Sequence, residues 1–249
     1  MPPVGNDVVD LKHPENQGKS KDNRFLDRVF IGKERDRIAG AACPDKLLWA
    51  LWAAKEAAFK VVSRGEPTAC STPRRYEILL DAGNECKTAN SAGKSAGPVI
   101  TIGQNRCRAT DPSGVSETCL AGRAITPRGE LALRIVVTDD YVHAVSAATE
   151  GNLDRIFQRV DRMDVGEDAG EVSAFVRRQL LSEISRCLDC PLGELSIGKE
   201  PLGPGAPFVL RRGQPLAVDI SLSHDGRFAA FAFEVSRHLI RRNVIRKTP

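Results

Sequence analysis

Several short constellations in this 249-residue chain hold residue types able to do chemistry. Gly18-Lys19-Ser20 and Gly93-Lys94-Ser95 invite phosphate binding, in which the amides of a glycine-rich loop wrap the anion. Such a loop needs another glycine five positions before the triplet, and His13 and Thr88 stand there. Neither triplet is a phosphate loop. Ser223-His224-Asp225 has the residue types of a hydrolytic relay, but a relay is assembled from separated segments, not from three consecutive side chains. Cys187-Leu188-Asp189-Cys190 lacks the second pair or spaced histidine of a zinc site and the preceding strand of a redox motif. It reads as two cysteines at a helix end.

Lys55-Glu56 with Lys60 is more informative. Leu48, Leu51, Trp52, Phe59 and Val62 form a helical stripe that asks for an apolar residue at 55, where lysine stands. In isolation Lys55 would snorkel, and Glu56 and Lys60 would form an i,i+4 pair worth ~0.3–0.5 kcal/mol.

The elements that must position these groups follow from periodicity and breakers. Asp22 or Asn23 caps a helix running to Phe30, Gly32 interrupts it, and a second helical stretch starts at Lys33. The striped helix spans Asp45 to Ser63 and ends at Gly65 and Pro67. Strands are predicted over Tyr76–Leu80, Val99–Ile102, Leu131–Val137 and Tyr141–Ala147, with Ala82–Pro98 an exposed loop. The pattern turns helical again from Asn152, most clearly over Glu171–Leu188, and a Pro/Gly-rich loop covers Gly198–Pro207. Val218, Ile220 and Leu222 alternate with Asp219, Ser221 and Ser223, and Asp225-Gly226 turns the chain into Phe228–Phe233. The series predicts an α+β chain of two lobes joined near Thr149–Asn152, each a version of the other.

Three of these blocks together resemble the signatures of the 4′-phosphopantetheinyl transferases. Gly5-Asn6-Asp7-Val8-Val9-Asp10 is similar to their G-x-D strand, and Trp52 to Lys60 to their W-x-x-K-E-(S/A)-x-x-K helix. Ser221-Leu222-Ser223-His224 is similar to their S-H strand end. Arg178-Gln179-Leu180-Leu181 resembles a helix segment of the larger members, Gly198-Lys199-Glu200-Pro201 their G-K-P loop, and Tyr141–Ala148 the strand closing their metal-binding lobe. The resemblance implies transfer of phosphopantetheine from coenzyme A to a serine of an apo acyl or peptidyl carrier protein, with Mg²⁺ as cofactor. It implies a pseudo-dimer of two lobes, each a small antiparallel sheet packed with helices. By the same resemblance Asp7 and Glu56 hold the metal, joined by Asp10 at the spacing of the small trimeric members. Glu56, with Asp7 and Lys60, would carry the chemistry, and Lys55, Arg178, Lys199, Ser223 and His224 would bind coenzyme A.

Three departures qualify the match. Val9 stands where many larger members carry a second acid, and Glu200 lengthens the G-K-P loop. In a regular strand Asp7 and Asp10 face opposite sides, so Asp10 reaches a shared metal only where the chain bends. The third departure is motif order: the G-x-D and K-E blocks precede the G-K and S-H blocks, the reverse of the large two-lobed members. The expectation is therefore a monomer with a metal-binding lobe at 1–149 and a coenzyme A-binding lobe at 150–249. Its competitor is a small-type protomer with a long insertion, which would trimerise. A non-catalytic relative that holds coenzyme A or a carrier protein is the alternative function, and Val9 is its support.

Composition bounds the rest. With 41% hydrophobic and 27% charged residues the chain is of ordinary soluble type, and a net charge of +4 is too mild for a nucleic-acid binder. The basic stretch from Arg237 to Pro249 reads as a solvated tail. No apolar run approaches the ~20 residues of a membrane span, and the start lacks the apolar core of a signal peptide. Seven irregularly spaced cysteines point to a reducing cytoplasm.

Overall fold

Helices alternate with antiparallel strands in an order that folds both halves of the chain back on their first strand. The computed structural model describes residues 3–66, 68–85, 117–163, 168–199, 206–236 and 239. The elements run β1 (Gly5–Asp10), α1 (Asn23–Val29), α2 (Gly32–Ala39), α3 (Pro44–Gly65), β2 (Glu77–Glu85), β3 (Thr118–Thr126), β4 (Gly129–Val137) and β5 (Tyr141–Ala147). Then come α4 (Glu150–Leu153), β6 (Phe157–Arg162), α5 (Ala169–Leu188), β7 (Leu195–Lys199), β8 (Pro207–Arg211), β9 (Gln214–Pro215), β10 (Val218–Asp225) and β11 (Phe228–Val235).

The first half forms a five-stranded antiparallel sheet in the order β1-β5-β4-β3-β2. α3 lies on it. Pro44 opens the helix, as suits a first turn whose N–H groups have no helical partner. Leu48, Leu51, Ala54, Ala58 and Val62 then pack with Val9, Ile78, Leu133, Ile135, Val142 and Ala144. The small residues let β1 approach closely: a Cβ on Gly5 would lie 2.0 Å from the carbonyl oxygen of Ala57. Only glycine fits there, and the approach sets Asp7 beside the helix that carries Glu56.

The second half forms a sheet in the order β10-β11-β6 and a small β7-β8-β9 sheet, both antiparallel. β11 is buried on both faces, which explains its unbroken apolar run. Ala229, Phe231 and Phe233 meet Val176, Leu180 and Ile184 of α5. Phe228 and Ala230 meet Val8, Val136 and Tyr141 of the first sheet. In each half the first strand lies beside the last, and the last beside the one before it: β1-β5-β4 and β6-β11-β10.

The two sheets meet along β1 and β10. Here three N–H groups of β1 and the residue before it donate to side chains: Val4 N to Asp219 Oδ2 (2.5 Å), Asn6 N to Ser221 Oγ (2.9 Å) and Asp10 N to Asp225 Oδ2 (2.8 Å). Each pair is separated by the same 215 residues, so the strands run parallel along the seam. Buried edge amides need such partners, and here the Asp and Ser residues of β10 supply them.

The helices from Asp22 to Gly65 and the β10–β11 hairpin form as expected, with Asp22 accepting from Phe25 N at 3.0 Å. β3, β6, β7 and β8 were not anticipated. Gly122 and small residues dilute the alternation of β3, although a Cβ on Gly122 would lie only 2.4 Å from the Leu79 carbonyl oxygen. In β6, Gln158, Arg159 and Asp161 hide a strand that pairs with β11. The expected strand at Val99–Ile102 and most of the Ala82–Pro98 loop lie outside the described residues, as do 200–205 of the Gly198–Pro207 loop. Among the described residues no helix is long and apolar enough to cross a membrane.

Candidate active site

β1 and α3 bring Asp7, Glu56 and Lys60 together. Lys60 Nζ donates to Asp7 Oδ1 at 2.9 Å and to the Asn6 carbonyl oxygen at 2.8 Å, so the lysine bridges helix and strand. Burial pushes the Asp7 carboxyl above its usual range against the pull of Lys60, and the charge of Asp225 adds to the rise. Glu56 is raised as well, by burial first and then by the charge of Asp7. Both carboxyls are thus held above their usual range, and Lys60 pulls each of them back.

The β10 end closes the cluster from across the seam. His224 is exposed and lowers the Asp7 pKa by its charge, which places it within electrostatic reach of the carboxylates. Ser223 is buried, and its Oγ accepts from Asn6 Nδ2 at 3.0 Å. The same amide nitrogen lies 3.2 Å from His143 Nε2. An amide nitrogen only donates, so the imidazole accepts at Nε2 and carries its proton on Nδ1. Burial, reinforced by Lys60, pushes His143 down to about 3 and keeps it neutral.

Two expected site residues are engaged elsewhere. Lys55 is 1% exposed and points into the core, pairing with Glu34 at 2.8 Å and donating to the carbonyl oxygens of Pro73 (3.2 Å) and Tyr76. Neighbouring residues on a helix of 3.6 residues per turn point about 100° apart, so Glu56 reaches the site while Lys55 does not. Asp10 is 1% exposed, and its carboxylate accepts from Arg227 Nε (2.8 Å), Arg227 Nη2 (2.7 Å), Arg227 N (2.9 Å) and Lys12 N (2.9 Å). Those four donors occupy the carboxylate that the resemblance had assigned to the metal. Arg178 is exposed on α5, and Lys199 closes β7.

Among the described residues no group of three or more histidine, cysteine or carboxylate side chains gathers as a metal cage. The donor set still suits a hard divalent cation. Mg²⁺ is typically held by one or two carboxylates, with substrate phosphates and water completing its shell. Asp7 and Glu56 supply two buried carboxylates of raised proton affinity, and a cation would favour their charged forms.

Residues 3–101 match the family model of the 4′-phosphopantetheinyl transferase superfamily. Over that stretch the chain is similar to this superfamily. The superfamily match takes in β1 and α3, and with them Asp7, Glu56 and Lys60, whereas Ser223 and His224 lie beyond it. No curated protein matches the chain. Sequence reasoning did not single out Asn6, His143, Glu34 or Arg227. A lone histidine within an apolar strand and an arginine after a turn glycine carry no local signal of their partners.

Proposed function

We propose that the chain transfers 4′-phosphopantetheine from coenzyme A to a serine hydroxyl of an apo carrier protein, with Mg²⁺ held by Asp7 and Glu56. One observation carries this reading: Asp7, Glu56 and Lys60 converge on the strand end that presents His224. When bound, the cation would neutralise the pyrophosphate and orient it for displacement. Lys60 offers a second positive charge to the phosphoryl oxygens. Glu56, its proton affinity raised by burial and Asp7, accepts the serine proton as the serine oxygen bonds to phosphorus. The bond from that phosphorus to the bridging oxygen breaks, and adenosine 3′,5′-bisphosphate leaves. His224 holds the 3′-phosphate, with Lys199 and Arg178 as further cations for the nucleotide. Ser223, its Oγ accepting from Asn6, stands beside His224 on the coenzyme A side.

In this reading residues 1–149 form the metal-binding lobe and 150–249 the coenzyme A-binding lobe of a monomeric pseudo-dimer. The matching strand orders β1-β5-β4 and β6-β11-β10 support it. The non-catalytic alternative draws on Val9, which is core packing where an acid would have been a second ligand.

The decisive experiment incubates the protein with coenzyme A, Mg²⁺ and a panel of apo carrier proteins, and weighs the products. Wild-type protein should add one phosphopantetheine to a carrier, His224→Ala should raise the coenzyme A requirement, and Glu56→Gln should add none while keeping its fold. Full transfer by Glu56→Gln would sink the assignment. Coenzyme A binding without transfer to any carrier would favour the alternative.

A further inference from the structure

The β10–β11 turn, which follows His224, is fastened to β1 through a single residue. Asp10 meets it three times. Its N–H donates to Asp225 Oδ2 at 2.8 Å, its carboxylate takes both the Nε and Nη2 donors of Arg227, and Arg227 N donates to Oδ2 at 2.9 Å. Asn16 reinforces the arrangement by donating from Nδ2 to Asp225 Oδ2 (2.7 Å) and to the Asp10 carbonyl oxygen (2.9 Å). Between the two fastened residues lies Gly226 at φ +49°, where a Cβ would stand 2.6 Å from Asp10 Oδ2 and 2.9 Å from Asp10 Cβ. The turn is therefore moulded onto the aspartate side chain. Asp7 lies three residues before Asp10 on the same strand, and His224 immediately precedes Asp225.

We infer that the Asp10–Arg227 pair is a positioning clamp: it locks the His224-bearing turn of β10 to the Asp7-bearing strand, and so sets the spacing between the two walls of the site. A forked guanidinium–carboxylate contact fixes orientation as well as distance, and removing a buried partner leaves the other charge unsatisfied. Misplacing a binding group by about 1 Å can cost on the order of 100-fold in rate, so a clamp far from the reacting atoms can still govern turnover. The inference rests on the transferase reading only for what His224 holds.

Arg227→Lys keeps the charge and loses the fork, and Asp10→Asn keeps the shape and loses the charge. Three measurements on these variants and on the double variant test the clamp. In hydrogen exchange read by mass spectrometry, peptides covering 221–230 should exchange faster in both single variants, with 131–147 unchanged. The KM for coenzyme A should rise by about tenfold in each, and the double variant should be no worse than either single one, the non-additivity expected of one shared contact. The Mg²⁺ concentration giving half-maximal activity should stay at the wild-type value. A rise in the Mg²⁺ requirement of Asp10→Asn but not of Arg227→Lys would overturn the clamp in favour of a metal ligand, as would unchanged exchange over 221–230. Should Asp10→Asn not fold, Arg227→Lys and Gly226→Ala carry the same measurements, since the alanine presses on the same carboxylate. Faster exchange in variants of a wild-type protein that transfers nothing would uphold the clamp while refuting the transferase reading.

Discussion

His143 shows how one buried side chain makes the seam sensitive to acid. It is 3% exposed and receives the Asn6 amide at Nε2, so protonation would replace an acceptor with a donor facing a donor. Its folded pKa of about 3 lies below the ordinary histidine value of 6.5, so the folded chain binds fewer protons than the unfolded chain between those values. Stability contributed by the neutral ring is therefore complete above pH 6.5 and lost as the pH falls toward 3. The loss should be about 1.4 kcal/mol per pH unit within that window. Urea unfolding of the wild type and of His143→Gln at several pH values checks this, because glutamine can meet Asn6 without titrating. The difference between the two proteins should change along that slope. A constant difference from pH 7 to 4 would mean that the ring is protonated in the fold.

At the scale of elements, α3 does two unlike things with adjacent residues. Its inner face carries Lys55 to Glu34, whose carboxylate also accepts from Ile31 N and Ile78 N at 3.0 Å each. The pair thereby ties α2, α3 and β2 together, and the adjoining Glu56 reaches the site from a helix held on both sides. Breaking a buried pair by removing one partner typically costs about 3–5 kcal/mol. Lys55→Met should lower the unfolding free energy by about that amount while leaving the coenzyme A KM of the folded fraction within a factor of about two. A variant of unchanged stability but with a strongly raised KM would return Lys55 to the cofactor. The stripe at 48, 51, 52, 59 and 62 already marked position 55 as inward-facing, and the structure follows that periodicity rather than the motif's suggestion of a phosphate-binding lysine.

For the whole molecule the question is whether one chain supplies both walls. Asn6 reaches Ser221 and Ser223, Arg64 pairs with Asp219, and Asp10 pairs with Arg227, all within one protomer. A monomer carrying its complete site cannot be rescued by a neighbour. Mixtures of Glu56→Gln and His224→Ala chains should therefore stay inactive, and the wild type should elute as a monomer and keep its specific activity at nanomolar concentration. Recovered activity on mixing, together with a trimeric mass, would show that the walls come from different protomers, as symmetric rings allow.

The sequence by itself determined whatever depends on near neighbours. The α3 stripe, the Asp22 cap, the Asp225-Gly226 turn and the G-x-D and K-E blocks are set by propensity, periodicity and backbone sterics over a few residues, and all were legible. Glycine at 5 belonged to a motif, but its reason, the Ala57 carbonyl 2.0 Å from where its Cβ would be, appears only once β1 meets α3. Tertiary structure alone decided which partners the buried charged groups find. Lys55 finds Glu34 twenty-one residues away, and Asp10 finds Arg227 at a separation of 217. Both are thereby engaged with partners that the resemblance had not implied. Strands β6 and β7 were hidden for the same reason: their pairing with β11 and β8, not their own composition, makes them strands. A charge buried far from water takes the nearest satisfied partner that the whole fold offers, and no local pattern records which one that is.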